Sequence, residues 1–321
     1  MAFRPSVNSQ IIIENQAYTF TPHPAAKGMP YGQTGRRATV YKITNSNKDE
    51  FALKVFTKAF RSSWNADGIQ QLQGFANIQG LQVCNRSAIT PDTQSNLITQ
   101  FPELKYAILM PWVQGETWFD IIGSQRPIPV ELSQEISLQT AGVLAEMEQK
   151  GLAHCDLSGP NILVDLDMLS SANQNSNHPV ALVDIEEMFG PGLKKPEKLP
   201  AGTSGYAHKT ASEGLWKETA DRFAGAVLLI EMLTWHDKRV RRISYEDHYF
   251  APNELQTNCD RYKLALQVMN EQGKTMAADL FARAWFSSTL TECPTFLDWH
   301  VALNGSTSPS TISHQVFNVD N

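Results

Sequence analysis

The sequence lacks the features that mark secreted, membrane-bound and nucleic-acid-binding proteins. Its four cysteines are scattered and form no C-x-x-C pair, which argues against a disulfide framework or a zinc site. The N-terminus has no signal-peptide core, and the longest apolar stretch, Phe223 to Leu233, is too short for a bilayer and contains Glu231. The net charge is −6, and no Lys/Arg run indicates a nucleic-acid or membrane partner. We therefore expect a cytoplasmic protein with free thiols.

The composition and the first third of the chain indicate a globular protein that begins with a sheet. Hydrophobic residues make up 42% and charged residues 19% of 321 residues, enough for one large domain or two parts with their own cores. Thr39–Ile43 and Phe51–Phe56 are apolar or alternating, with the turn-forming Asn45–Asp49 between them. Tyr106–Met110 predicts a further buried strand, and Pro111–Gly115 predicts a linker after it.

Helical patterns dominate after the linker. In Glu131 to Gly151, one face carries four residues at helical spacing: Ile136, Thr140, Leu144 and Met147. Ser133 or the preceding prolines are candidates to start this helix, and Gly151 to end it. Ala220–Thr234 is apolar nearly all round, which predicts a buried helix.

Two short strands and two polar segments complete this organisation. Asn161–Asp165 and Val180–Asp184 predict strands, and the polar stretch Ser170–Asn177 predicts a surface insertion between them. After Asn304 the chain turns polar, which predicts a flexible tail.

The most informative residues are Asp156, Asn161 and Asp184, in that order along the chain. Phosphoryl transfer needs one carboxylate near the attacking hydroxyl, and it needs an amide oxygen and a second carboxylate to hold Mg²⁺ on the phosphates. Lys54 lies in an apolar strand, where a buried ammonium needs an anionic partner such as phosphate. Each residue alone has an ordinary structural explanation, but the ordered set indicates phosphoryl-transfer chemistry.

Three motifs give the chain a resemblance to a known superfamily over roughly residues 30 to 300. H-C-D-L-S-G-P-N at His154–Asn161 stands where protein kinases have H-R-D-L-x-x-x-N. Gly202–Tyr206 resembles their G-T-P-G-Y, and Asp221–Leu233 resembles D-x-W-S-x-G-V…E-M-L. The sequence thus resembles the protein kinase superfamily, and within it the divergent bacterial eukaryotic-like Ser/Thr protein kinases.

The resemblance implies an α+β, two-lobed protein-kinase-like fold. A small antiparallel β N-lobe with one main helix is expected at residues 16–112, and a larger helical C-lobe at residues 113–303. Residues 1–15 would form an N-terminal extension and residues 304–321 a flexible tail.

The resemblance also implies roles for individual residues, with ATP and Mg²⁺ as cofactors. Asp156 would be the catalytic base, with Lys54 and Asn161 as further catalytic residues and with Asn161 and Asp184 holding Mg²⁺. The residues implied to contact ATP are Gly35, Ala38, Val40, Lys54, Met110 and Trp112. Asp221 is expected to be structural, accepting backbone hydrogen bonds from the catalytic loop, and Glu231 structural or substrate-facing.

Several positions depart from the kinase pattern. Cys155 replaces the Arg of H-R-D, which predicts that activity does not need activation-loop phosphorylation. Ser158 replaces the Lys that neutralises the γ-phosphate, and Ser62–Gly80 contains no Glu to pair with Lys54. Gln70, Gln71 or Gln73 could replace that Glu only in part. Glu186, in Asp184-Ile185-Glu186, is expected to be solvated or hydrogen-bonded, or else to be a further Mg²⁺ ligand. Arg36 and Arg37 at the phosphate-loop tip are expected to face solvent, with contact to phosphate or substrate as the alternative.

Three functions fit these residues, in descending order. The first is an ATP- and Mg²⁺-dependent protein kinase directed at Ser/Thr. The second is a small-molecule phosphotransferase of the aminoglycoside or choline kinase type, in which D-x-E/D also replaces D-F-G. The third is a nucleotide-binding pseudokinase scaffold. The resemblance implies a protein substrate, with a PP2C-type phosphatase or a von Willebrand A-type protein as candidate partners.

Overall fold

The computed structural model describes residues 3–170 and 178–305. Three predicted segments lie partly or mainly outside them: the start of the N-terminal extension, the insertion at residues 170–177 and the tail from residue 306 onward. Within the described ranges, no helix is both long enough and apolar enough to cross a membrane.

The sheet region, residues 3–111, is built on a seven-stranded antiparallel sheet. Its strands lie in the order β1-β2-β6-β7-β9-β8, and β5 pairs with β6 beside β2. β3 and β4 form a separate two-stranded ribbon. The nine strands are β1 Gln10–Ile13, β2 Gln16–Phe20, β3 Pro22–His23, β4 Ala26–Pro30, β5 Gly32–Thr34, β6 Ala38–Asn45, β7 Glu50–Phe56, β8 Ser87–Ala88 and β9 Ile108–Pro111.

The β3–β4 ribbon projects from a single point of the sheet. Lys42 of β6 accepts a hydrogen bond from Thr21 through its carbonyl and donates its N–H to Tyr31. The N–H of Tyr31 in turn donates to the carbonyl of Thr21, so residues 21 and 31 close the base of the ribbon.

Alternation along β7 gives Lys54 its direction. Successive side chains of a strand point to opposite faces. Leu53 and Val55 pack in the cluster on the outer face of the sheet, whereas Ala52 and Phe56 belong to the core shared with the helices. Lys54 therefore projects from the helix-facing side, and its register partner on β6 is Val40. The two predicted strands here are confirmed.

Two sequence predictions for the sheet region need correction. The strand predicted at Tyr106–Met110 begins only at Ile108, because Tyr106 has a positive φ of 65° and bonds to Ile89 outside the ladder. The single main helix is replaced by two short helices, α1 Ile69–Gln73 and α2 Ser95–Gln100. Glycines flank α1: Gly68, with a left-handed φ of 75°, is its N-cap, and Gly74 is its C-cap.

The helical region, residues 112–305, contains a small antiparallel sheet and eight helices among its described residues. The sheet has the order β10-β11-β12, with β10 Glu116–Thr117, β11 Ile162–Val164 and β12 Val180–Leu182. The helices are α3 Trp118–Gly123, α4 Val130–Gln149, α5 Leu166–Ser170, α6 Arg222–Thr234, α7 Lys238–Ile243, α8 Asp260–Glu271, α9 Thr275–Trp285 and α10 Phe296–Leu303.

The predicted long helices are confirmed as α4 and α6. α6 is buried on nearly every side, as its apolar sequence indicates. Ser133 does not start α4: Pro129 stands at the N-cap, and the buried Ser133 hydroxyl donates to the carbonyl of Met232 in α6. The helix ends at Gln149 with Lys150 as its C-cap, and Gly151 follows with a positive φ of 67°. α4 and α6 thus form the packed centre on which the loops of the site rest.

Candidate active site

A cleft of about 540 Å³ lies where the helix-facing side of the sheet meets the loops of the helical region. It is lined by every site residue that the sequence predicted: Gly35, Ala38, Val40, Lys54, Met110, Trp112, Asp156, Asn161 and Asp184. The residues come from β6, β7, β9 and four loops, so the cleft exists only in the folded chain.

The turn between β5 and β6 forms one wall of the cleft. The N–H of Gly35 donates to the carbonyl of Ala38 and closes this turn. A side chain at Gly35 would meet nothing nearer than that carbonyl, at 3.8 Å. The backbone at this position does not require glycine. Because Gly35 has no side chain, the backbone of the turn is uncovered on the side of the cleft.

The loop that carries Asp156 is fixed from below by Asp221. This buried carboxylate accepts the backbone N–H groups of His154 and, at 2.8 Å, of Cys155. Burial raises the pKa of Asp221, although His154 and the two donors favour its charged form. Cys155 adopts a left-handed φ of 67°, a conformation that such a tether stabilises. The structural role predicted for Asp221 is confirmed.

Asp156 faces the cleft with one carboxylate oxygen already bonded. The Thr203 hydroxyl donates to Oδ1 of Asp156 at 2.8 Å. The Asn161 amide nitrogen donates to the backbone carbonyl of Asp156 at 2.8 Å, which orients the amide oxygen of Asn161. Sequence reasoning did not assign Thr203 to the site, although its motif, Gly202–Tyr206, gave the signal.

Asp184 and Glu186 lie on one tight turn after β12. Asp184 has a left-handed φ of 63°, and a single 3₁₀ turn, Ile185–Glu187, follows it. Ile185 is buried, and the carboxylates on either side of it both contact the ammonium of Lys54. Lys54 Nζ lies 2.7 Å from Glu186 Oε2.

Glu186 is buried and hydrogen-bonded, which confirms the expectation of a hydrogen-bonded carboxylate, and it is not among the residues that line the cleft. Its second oxygen pairs with Arg86 Nη1 at 2.9 Å. Burial alone would raise the pKa of Glu186, but Lys54 and Arg86 hold it well below its usual range. Conversely, burial would lower the pKa of Lys54, and the carboxylates of Glu186 and Asp184 raise it.

Arg86, in this network, is a second residue that sequence reasoning missed, besides Thr203. Its side chain is only 1% exposed, Nε donates to the carbonyl of Val83 at 2.7 Å, and Nη2 approaches the Met110 sulfur. An Arg two residues after the apolar Val83-Cys84 was the available signal. The glutamines proposed to partner Lys54 do not do so: the Gln73 amide donates to the carbonyl of Arg86.

The two arginines at the β5–β6 turn behave differently. Arg36 is exposed, as expected. Arg37 is half-buried and pairs with Glu187 at 2.6 Å, so the expectation of solvent exposure is wrong for Arg37. Burial would lower the pKa of Arg37, but its hydrogen bond and charge pairing with Glu187 raise it. The pair connects the sheet side of the cleft to the turn that carries Asp184.

This arrangement has defined chemical capacities. Asp156 has an oxygen at the cleft that can accept a proton from a hydroxyl group. The Asp184 carboxylate and the Asn161 amide present the hard oxygen ligands that Mg²⁺ prefers. Among residues 3–170 and 178–305, no group of three or more His, Cys, Asp or Glu could hold a metal ion. A Mg²⁺ ion held by Asp184 and Asn161 would complete its coordination with water or with phosphate oxygens of a bound nucleotide.

No protein-family model matches the chain, and no curated protein is significantly similar to it.

Proposed function

We propose that the protein is an ATP- and Mg²⁺-dependent protein kinase with a two-lobed, kinase-like fold, which transfers the γ-phosphate of ATP to a Ser/Thr hydroxyl. The observation that carries this proposal is the convergence of Lys54, Asp156, Asn161 and Asp184 on one cleft, from three separate segments. The antiparallel sheet region and the helical region would be the two lobes, and the cleft between them would hold the nucleotide.

Each residue then has one task in the proposed reaction. Asp156 orients the acceptor hydroxyl and takes its proton. Asn161 and Asp184 hold Mg²⁺, which neutralises charge on the phosphates when bound. Lys54 pairs with the phosphates, while Met110 and Trp112, at the end of β9 and just beyond it, contact the adenine side.

The contact between Thr203 and Asp156 supports a protein acceptor over a small molecule. It places the segment Gly202–Tyr206 directly beside the proposed base. In the resembling kinases, this segment ends the activation segment. The same segment is fixed by the Tyr206 hydroxyl, which donates to the buried Glu231 of α6 at 3.1 Å. This segment is a turn, closed by the Tyr206 N–H on the Thr203 carbonyl, and it would form one side of a binding surface for a peptide beside the base.

The pairing of Glu186 with Lys54 weakens the pseudokinase alternative. The missing helix Glu was one of the sequence arguments for that alternative. In the fold, a carboxylate does contact Lys54 at 2.7 Å, supplied by a different segment. The absence of a helix Glu therefore no longer counts against Lys54, although Ser158 still stands where kinases have the Lys that neutralises the γ-phosphate.

The test is transfer of labelled γ-phosphate from ATP, with Mg²⁺, to the protein itself and to generic protein substrates. We expect incorporation on Ser/Thr that is lost in Asp156→Asn and Lys54→Met. Exposed matched substitutions, Asp92→Asn and Lys48→Met, should retain it. Transfer to a small hydroxylated compound but to no protein would favour the small-molecule kinase. Nucleotide binding without any transfer would favour the pseudokinase.

A further inference from the structure

We propose that Glu186, held in place by Arg86, is the residue that positions Lys54 for the phosphates of the nucleotide. This inference rests on the proposed nucleotide site, and it assigns to the turn after Asp184 a task that the resembling kinases give to a helix. Glu186 and Arg86 are thus positioning residues that act through Lys54.

The contacts are those of a built network. The side chains of Lys54, Arg86 and Glu186 are 7, 1 and 12% exposed. Each Glu186 oxygen has its own cation, Lys54 on Oε2 at 2.7 Å and Arg86 on Oε1 at 2.9 Å. Charges buried this deeply are tolerated only when paired and hydrogen-bonded.

Arg86 is itself immobilised independently of Glu186. Its Nε donates to the carbonyl of Val83, and the guanidinium plane reaches the Met110 sulfur. A planar guanidinium with several bonded donors is more rigid than an ammonium on a flexible stem. Glu186 therefore has one fixed partner, Arg86, and one that can turn to a ligand, Lys54.

The charges around Glu186 explain why it needs Arg86 as a fixed partner. In this structure Lys54 contacts both Asp184 and Glu186. When Asp184 turns to Mg²⁺ and Lys54 to phosphate, Glu186 would face a phosphate with less compensation. The Arg86 guanidinium stays paired with Glu186 when Lys54 turns to the phosphate. The carboxylate of Glu186 therefore stays in place and continues to hold Lys54 at the cleft.

The location of Glu186 also removes any need for α1 in this task. α1 has five residues, carries no acidic side chain in its first turn and sends Gln73 to the Arg86 backbone. Glu186 instead lies on the same 3₁₀ turn as the metal-binding candidate Asp184. Lys54 and Asp184 are thus set by a single turn, without adjustment of a helix.

The experiment compares Arg86→Met, the double variant Arg86→Met/Glu186→Gln and a control, Arg222→Met. The control breaks a comparable ion pair, Arg222–Glu148 at 2.6 Å, away from the cleft. Calorimetry measures the affinities for Mg-ATP and for adenosine, melting temperature reports stability, and turnover gives kcat and KM. The ratio of ATP to adenosine affinity isolates the phosphate contacts of Lys54.

We expect Arg86→Met to lower the melting temperature, and the double variant to regain most of that loss because no uncompensated charge remains. The affinity ratio should stay roughly tenfold below wild type in both, and kcat roughly 10²-fold below. Arg222→Met should lose stability with an unchanged ratio. If the double variant regains both its stability and the wild-type ratio of ATP to adenosine affinity, the network has only a structural role and the inference is overturned.

The proposed function can fail separately. If the wild-type protein transfers no phosphate but prefers ATP over adenosine, the ratio still tests the placement of Lys54. If the wild-type protein shows no such preference, Lys54 does not contact phosphate and the inference is overturned as well.

Discussion

Glu186 and Glu231 are both removed from solvent, but their partners differ in charge. Glu186 lies between two cations. Glu231 accepts hydrogen bonds only from neutral donors within the described residues: the Trp118 indole, the Tyr206 hydroxyl and the Tyr249 backbone N–H. Burial raises the pKa of Glu231 to about 7, whereas the cations hold that of Glu186 well below its usual range.

The comparison shows that burial alone does not decide whether a carboxylate is charged. The identity of the donors decides it. Beside the cleft, Glu186 stays ionised, as is needed to hold the Lys54 ammonium. The helix centre keeps a glutamate near neutrality, which suits a task in joining α3, α6 and the segment at Tyr206.

The largest expected effect separates these two glutamates directly. Glu186→Gln leaves Lys54 and Arg86 short of one negative charge in a buried site, which should cost about 3–5 kcal/mol in the free energy of unfolding. Near pH 7, Glu231→Gln replaces a group that is about half protonated and keeps most of its hydrogen-bonding capacity, so a loss of about 1 kcal/mol is expected at that pH. Urea unfolding of both variants measures the difference. Equal losses would show that the two environments are not distinct.

The pH dependence of stability should have opposite signs at the two sites. The pKa of Glu231 is higher in the folded chain than the value of about 4.3 expected when unfolded. Its stabilising contribution is therefore full below about pH 4 and is lost as the pH rises through 7, by roughly 3 kcal/mol. Glu186, with a lowered pKa, contributes above about pH 4 and loses that contribution as the pH falls further.

Unfolding measured from pH 3 to pH 8 on wild type, Glu231→Gln and Glu186→Gln tests this pair of signs. The wild-type advantage over Glu231→Gln should shrink as the pH rises, and the advantage over Glu186→Gln should shrink as the pH falls. Parallel curves would contradict the pKa assignments.

Asp221 offers an intermediate case, because its donors are backbone N–H groups. Asp221→Asn keeps one acceptor but turns an NH₂ group toward the second N–H, leaving a buried donor without a partner. We expect a loss of about 1–3 kcal/mol in stability, with a fall in kcat because the loop of Asp156 loses its tether. Unaltered kcat in a destabilised variant would show that the loop holds its shape by itself.

The smallest effect is expected at the half-buried pair Arg37–Glu187. Partly exposed ion pairs contribute about 1 kcal/mol or less, so Arg37→Ala should barely change stability. If Arg37 lies near the nucleotide phosphates, its loss should raise the KM for ATP by less than about tenfold. Arg36→Ala removes the same charge from the same turn without breaking a contact. An equal change of KM in both variants would show that Arg37 acts only through its positive charge and not through a specific contact.

The features predicted from the sequence are those fixed by local patterns. Alternation gave β6 and β7, helical spacing gave α4, and a motif gave the tethering role of Asp221. The pairing of Arg86 with Glu186 joins residues 100 positions apart and leaves no periodic trace. The same holds for Arg37 with Glu187, and the shortness of α1 depends on glycines whose conformations only the fold defines.

The ribbon of β3 and β4 has a consequence for the evolution and engineering of the chain. Because Thr21 and Tyr31 bond to each other and to Lys42, the hydrogen bonding of β6 is complete without the residues between them. Their number can therefore change with little cost to the sheet, since doubling a loop costs only about 0.6 kcal/mol. Exposed and closed at its base, this segment is a natural point for insertions, where a reporter peptide could be grafted or a new recognition element acquired.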